Sequence, residues 1–279
     1  MRARAYPLVW RVVAGVLVAV SRGSLPIILL LVVTASDPPV TPPVLFVLVT
    51  VLAAVPGAAA WLIGRAFAAQ VEARSDALVI RRFGWHLEVP WTVLTEVMPW
   101  VLPLPGLGLS FRLRSGRRLP CGVEVDDPAR LLAELAERGG VSAARAAAAH
   151  PAVVFGRARA SIGPRRWYHW AGRFPLFALL PTGVLFNAHQ HIAFGGPLGQ
   201  YYLFGLQAYL HTFAVYWATV TIYLVLYAAV LRGGAEAIAW IVAWTAPRIA
   251  VPARHAVETA GRIMYYGGVP LLLALRFLA

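Results

Sequence analysis

A chain of 279 residues that is 59% hydrophobic and only 13% charged, with a mean hydropathy of +0.68, is too apolar for an ordinary water-soluble domain; it reads as a membrane protein with a modest polar part. All 25 basic residues are arginine and the net charge is +13, but the arginines sit beside apolar runs, which favours anionic lipid over nucleic acid as the partner. The single cysteine, Cys121, excludes an internal disulfide and any cysteine-based metal cluster.

Residues 12–35 are apolar except for SRGS at 21–24, and read as an interfacial start followed by a span in which Arg22 reaches the inner surface. Residues 43–63 carry no charge over the length a bilayer core requires. Arg2, Arg4, Arg11 and Arg22 precede the first span while the loop SDPPVTPP carries only Asp37, so the N-terminus is expected in the cytoplasm. The hairpin 1–64 then returns the chain to the same side. Residues 65–173 form one long polar segment with 16 arginines against 9 acids, expected to be cytoplasmic. Beyond it, 174–193 and 201–231 read as two further spans within a C-terminal membrane domain, 174–279. Residues 235–247, broken by Pro247 and Pro252, read as a short interfacial or re-entrant helix with Trp240 and Trp244 at headgroup depth. The tail 263–278 is of marginal length for a span.

Inside the polar segment, period-two alternation marks strands. Leu109, Phe111 and Leu113 alternate with Ser110, Arg112 and Arg114, and Val71 and Ala73 with Glu72 and Arg74. Turn signals at Ser75-Asp76, Phe83-Gly84 and Ser115-Gly116 divide strands at 70–74, 77–82, 86–91, 93–98, 108–114 and 117–122. The stretch VDDPARLLAELAERGG closes the set with a helix over 127–138: Asp126 or Asp127 caps it, Pro128 suits its first turn, and Leu131, Leu132 and Leu135 form one apolar stripe. Residues 141–173 read as a basic, aromatic linker.

LVIRRFGWHLEVPWTVLTEV, then GLSFRLRSGRRL, then DDPARLLAELAE, after two apolar spans, resemble the bacterial pleckstrin-homology-like domain of membrane proteins, over residues 65–140. The resemblance implies a small, partly open antiparallel barrel with a C-terminal helix, and no shared catalytic residues. The expected fold class is thus an α+β integral membrane protein, with transmembrane helices flanking that barrel.

Three sets of residues could carry function. Arg81, Arg82, Arg112, Arg114, Arg117 and Arg118 on the strands and turns, with Arg157, Arg159, Arg165 and Arg166 in the linker, suit lipid phosphates because guanidinium presents planar donors. Tyr202, Tyr209, Tyr216 and Tyr223 recur every seven residues, a narrow helical stripe whose hydroxyls need polar partners; with His211 they mark a contact with another polypeptide or a cofactor. His189, His191 and His211 are the candidates for a metal or haem, but residues at i and i+2 on a helix point apart, and no acid lies near to complete a site, so no metal is expected. GxSxG, Walker and histidine-box motifs are absent.

The sequence therefore predicts a non-catalytic accessory, scaffold or assembly component of the bacterial inner membrane, binding anionic lipid, other membrane subunits or a second copy of itself. The alternatives are a membrane enzyme or a metal-, haem- or pigment-binding protein using the three histidines, or a transporter.

Overall fold

A computed structural model describes residues 1–34, 40–138, 142–163 and 167–278. The elements in chain order are β1 (Arg2–Pro7), α1 (Leu8–Thr34), α2 (Pro42–Val49), a π-helical turn (Thr50–Ala54), α3 (Val55–Ala66), β2 (Ala68–Ala73), β3 (Ala77–Arg82), β4 (Trp85–Pro90), β5 (Leu94–Pro99), β6 (Gly108–Leu113), β7 (Cys121–Val125), α4 (Pro128–Arg138), α5 (Ser142–Ala148), α6 (Pro151–Ala160), α7 (Trp167–Ala171), α8 (Phe177–Phe194), α9 (Gly199–Thr245) and α10 (Ala250–Leu278). The fold is α+β. Two compact units divide it: Met1–Ser24, Thr50–Gly163 and Ala235–Val257 form the first, and Leu25–Val49, Pro164–Gly234 and Glu258–Ala279 the second.

The first unit is built on a seven-stranded antiparallel half-barrel of order β4-β3-β2-β1-β7-β6-β5. Its central strand is one the sequence reading missed. MRARAYP pairs with β2 through Arg4↔Ala68 and with β7 through Pro7↔Cys121, and Ala5 N–H donates to the Phe67 carbonyl at 2.9 Å. Ala3 and Ala5 are buried on one face of β1 and Tyr6 on the other, where Arg4 is exposed; this burial and pairing on both sides offset the strand's poor intrinsic preference. Ala3 and Ala5 face the barrel core with Leu78, Ile80, Leu109, Phe111 and Val123. Tyr6 faces the other way, packed with Ala14 of α1, Phe67 and Trp100.

Five of the six expected strands fall within two residues of β2 to β6. The sixth, read at 117–122, lies at Cys121–Val125 instead, because Pro120 cannot donate to a ladder and Val123 and Val125 supply the buried positions. The capped helix is α4: Asp127 Oδ1 accepts from the N–H groups of Ala129 (3.1 Å) and Arg130 (3.2 Å), and Leu131, Leu132 and Leu135 are wholly buried in the barrel core. The segment read as a linker contains α5 and α6; Ala144 and Ala147 extend the same core, while Phe155 and Ala158 of α6 pack with Leu107 and with Ala239, Ala243 and Ala250.

Trp100 is fitted closely to its strands. Its indole N–H donates to Ser110 Oγ at 2.9 Å, and a Cβ on Gly122 would stand 2.6 Å from its ring, so glycine is what lets the ring lie flat there. In α1, the SRGS interruption meets the π turn: Ser21 Oγ donates to the Ala53 carbonyl (2.8 Å) and Ser24 Oγ to the Leu52 carbonyl (3.0 Å), answering groups that a π turn displaces from the regular helical ladder.

In the second unit, Ile28, Leu45 and Leu226 form one cluster and Phe174, Ala178, Val220, Leu224, Ala228 and Tyr265 another. Gln190 of α8, fully buried, donates to Gln200 Oε1 (2.8 Å), and Gln200 donates in turn to Thr212 Oγ1 (2.8 Å), tying α8 to α9.

Three helices among the described residues are long and apolar enough to cross a membrane: Leu8–Thr34, Pro42–Ala66 and Gly199–Thr245. The expected span 174–193 falls on α8, which is not one of them, because Asn187, His189, Gln190 and His191 make its C-terminal half polar. Nor is 235–247 a separate short helix: α9 runs on to Thr245, with Ala235, Ala239 and Ala243 buried one turn apart.

Candidate functional site: the arginine end of the sheet

Strand register collects the barrel arginines at one end of the sheet. Pro7 opposes Cys121 at the C-terminal end of β1, Ala68 begins β2 there, and Ala69 opposes Arg82, which opposes Trp85. The β3–β4 and β6–β7 turns therefore leave the sheet at the end where the chain departs into α1 and returns from α3. The β3–β4 turn is Phe83-Gly84, where Gly84 takes a φ of 71°, open to glycine but strained for other residues.

Arg81 is exposed on this end, and the Arg82 guanidinium lies 4.3 Å from the Phe67 ring centroid. Arg114, Arg117 and Arg118 are exposed on the β6–β7 turn. Arg112 pairs with Glu96 at 2.9 Å, so its charge is already balanced, and it belongs to the fold more than to the site. Among the described residues Arg81, Arg82, Arg114, Arg117 and Arg118 make no ion pair, and they give this end its cationic surface. Around it the exposed apolar groups Leu8, Val9, Trp10, Trp61, Leu62, Phe83 and Trp85 stand on α1, α3 and the β3–β4 hairpin. The hairpin aromatics were read from sequence only as a turn; the signal was present in Phe83 and Trp85 flanking a glycine.

Three buried groups lie on β1 and β7. Burial pushes the Cys121 thiol up, with a backbone hydrogen bond and the charge of Arg82 acting in the opposite direction. Burial likewise raises the Glu124 carboxyl, although Arg4 stands 2.6 Å away and pulls it down. Tyr6 is pushed up to about 12, chiefly by burial, and stays a neutral phenol. The Arg4–Glu124 pair joins β1 to β7 and was not legible in the sequence.

Of the linker arginines, Arg157 is exposed and Arg159 half-buried on α6, in the first unit; Arg165 and Arg166 lie outside the described residues.

The tyrosine stripe is not continuous. Gly205, at φ 78° and ψ 175°, breaks the helix between Tyr202 and Tyr209, and Tyr202 is left exposed. Tyr209 and Tyr216 set their rings 5.0 and 5.9 Å from Phe186 of α8, and the Tyr209 hydroxyl donates to the Pro197 carbonyl at 3.3 Å. Tyr223 packs at the Ile28, Leu45 and Leu226 cluster.

The histidines are not brought together. His189 lies 5.3 Å from the Tyr216 ring, His191 Nδ1 is 2.9 Å from the Asn187 carbonyl, and His211 is exposed on α9. Among the described residues no three of His, Cys, Asp and Glu stand close enough to hold a metal ion. In comparisons with known proteins, no family model, curated protein or solved structure matches this chain.

Proposed function

We propose that this chain is a non-catalytic, membrane-embedded accessory or scaffold protein of the bacterial inner membrane, whose pleckstrin-homology-like sheet domain faces the cytoplasm and meets an anionic leaflet through its arginine end. The observation that carries this reading is the coincidence, at one end of the sheet, of five arginines that make no ion pair among the described residues with exposed tryptophans, the start of α1 and the end of α3. Basic residues near an anionic surface contribute on the order of 1 kcal/mol each, and tryptophan favours the headgroup layer. Support for the domain assignment comes from a meander that closes β1 onto β7, opens between β4 and β5, and is plugged by α4. A span that begins near Arg22, with residues 8–20 at the interface, starts where Ser21 and Ser24 bond the carbonyls of the π turn.

The test uses the full chain in nanodiscs. A fluorophore placed at Ser115→Cys in a Cys121→Ser background reports contact with nitroxide-labelled lipid headgroups. Quenching is expected in discs rich in phosphatidylglycerol, falling with added salt and on replacing Arg114, Arg117 and Arg118 by glutamine. Equal quenching in purely zwitterionic discs would contradict the reading.

A further inference from the structure

The β5–β6 loop of the first unit is apolar throughout and only partly used by the fold. Its stretch Val101–Leu107, VLPLPGL, has no side chain that can form a hydrogen bond. One end serves the core: Leu107 packs with Phe155, Ala158, Ala239, Ala243 and Ala250, and its carbonyl accepts from the Val125 N–H at 2.9 Å. At the other end Trp100 is buried, and its backbone N–H donates to the Gly108 carbonyl at 2.8 Å. Between these anchors Val101 and Leu102 are left 49% and 62% exposed. A turn that faces water ordinarily carries Gly, Asn, Asp or Ser, so turn chemistry does not account for two adjacent exposed aliphatic residues.

The loop lies against α1. A Cβ added to Gly15 would stand 3.6 Å from Leu104 Cβ and 3.7 Å from the Pro105 nitrogen, so the buried Gly15 brings helix and loop into van der Waals contact. One turn earlier, the Arg11 guanidinium carbon lies 3.9 Å from the centroid of the Trp100 ring, a cation resting on the residue from which the loop departs. Around Gly15, α1 exposes Val12, Val13, Val16 and Val20, and α1 is one of the helices long and apolar enough to cross a membrane. Val101 and Leu102 thus stand on a loop held at the flank of that helix, within three residues of the contact at Leu104.

We infer that Val101 and Leu102 insert into the bilayer beside the first half of α1, so that the β5–β6 loop is a non-helical apolar anchor of the sheet domain. The partner is the acyl-chain layer just beneath the headgroups; the inference rests on the membrane-embedded reading above and adds a contact that the arginine end does not make. Three features suit that occupant. Pro103 and Pro105 lack the N–H that irregular backbone would leave without an acceptor in an apolar medium. The Arg11 guanidinium brings a cation to the base of the loop, where an anionic headgroup is favoured. The chain carries no acid from Val97 to Val123, and the carboxylate that borders the loop, Glu124 beside Gly106, is buried and paired with Arg4.

The full chain is placed in nanodiscs of phosphatidylcholine and phosphatidylglycerol, with a fluorophore at Leu102→Cys or, for reference, at Ile27→Cys on the span of α1, each in a Cys121→Ser background. Leu102 and Ile27 are both exposed, so neither label replaces a packed side chain. Nitroxides are carried either near the top of the lipid acyl chain or on the headgroup. The Leu102 label is expected to be quenched more strongly by the acyl-chain nitroxide than by the headgroup nitroxide, and to be shielded from iodide in the water. Acyl-chain quenching at Ile27 with none at Leu102 overturns the insertion and leaves the membrane reading standing; quenching at neither position removes both. A Leu102 label shielded from iodide yet quenched by neither nitroxide shows a protein partner over the loop and equally overturns the insertion.

Discussion

Replacing Leu132 by aspartate is expected to unfold the sheet domain. The side chain is wholly buried, and α4 plugs the half-barrel through it together with Leu131 and Leu135. A carboxylate there would be buried among the apolar residues of the half-barrel core, and an unpaired buried charge exceeds the cost of the cavity alone. Leu132→Ala should cost about 2–5 kcal/mol and leave a folded, weakened domain; Leu132→Asp should cost more than about 4 kcal/mol and abolish its cooperative transition. Thermal unfolding of the full chain in detergent, followed by the strand signal in circular dichroism, separates the two. An aspartate variant that melts with the parent would mean that α4 does not close the barrel.

An effect of comparable size is expected from Ala5→Pro. The substitution deletes the N–H that reaches the Phe67 carbonyl, in the strand that alone joins the β4-β3-β2 half of the sheet to the β7-β6-β5 half. Proline in a central strand costs about 3 kcal/mol or more, whereas Ala5→Gly, which keeps the N–H, should cost about 1 kcal/mol. Because the two arginine turns lie in different halves, Ala5→Pro should also abolish the salt-sensitive lipid contact at Ser115. Unchanged melting and unchanged contact would show that residues 2–7 contribute nothing to the sheet.

The parts of the fold legible in the sequence were those with a strong local signature. Alternation in Leu109–Leu113 and the Asp127-Pro128 start with its leucine stripe mark a strand and a helix before any tertiary contact is known. β1 was hidden because alanine and arginine have little strand preference; only pairing on both sides makes RARAYP a strand. The continuation of α9 was hidden by Gly233-Gly234, each costing roughly 1 kcal/mol against alanine in a helix. Packing of Ala239 and Ala243 against Phe155 and Ala158 offsets that, a contact no local pattern reveals. The break at Gly205 was in plain view, yet a seven-residue spacing does not show whether one helix carries it. The barrel arginines were legible as a set but not as one end of the sheet, which depends on register.

The central claim is that an apolar hairpin holds a cytoplasmic sheet domain against the bilayer, and its most direct measurement is thiol accessibility in intact bacterial cells. With Cys121→Ser as background, Ser115→Cys on the exposed β6–β7 turn is treated with a membrane-impermeant maleimide before and after permeabilisation. The account predicts no labelling of intact cells and full labelling once the membrane is opened. Strong labelling of intact cells would put the arginine end of the sheet on the outer side and contradict the account.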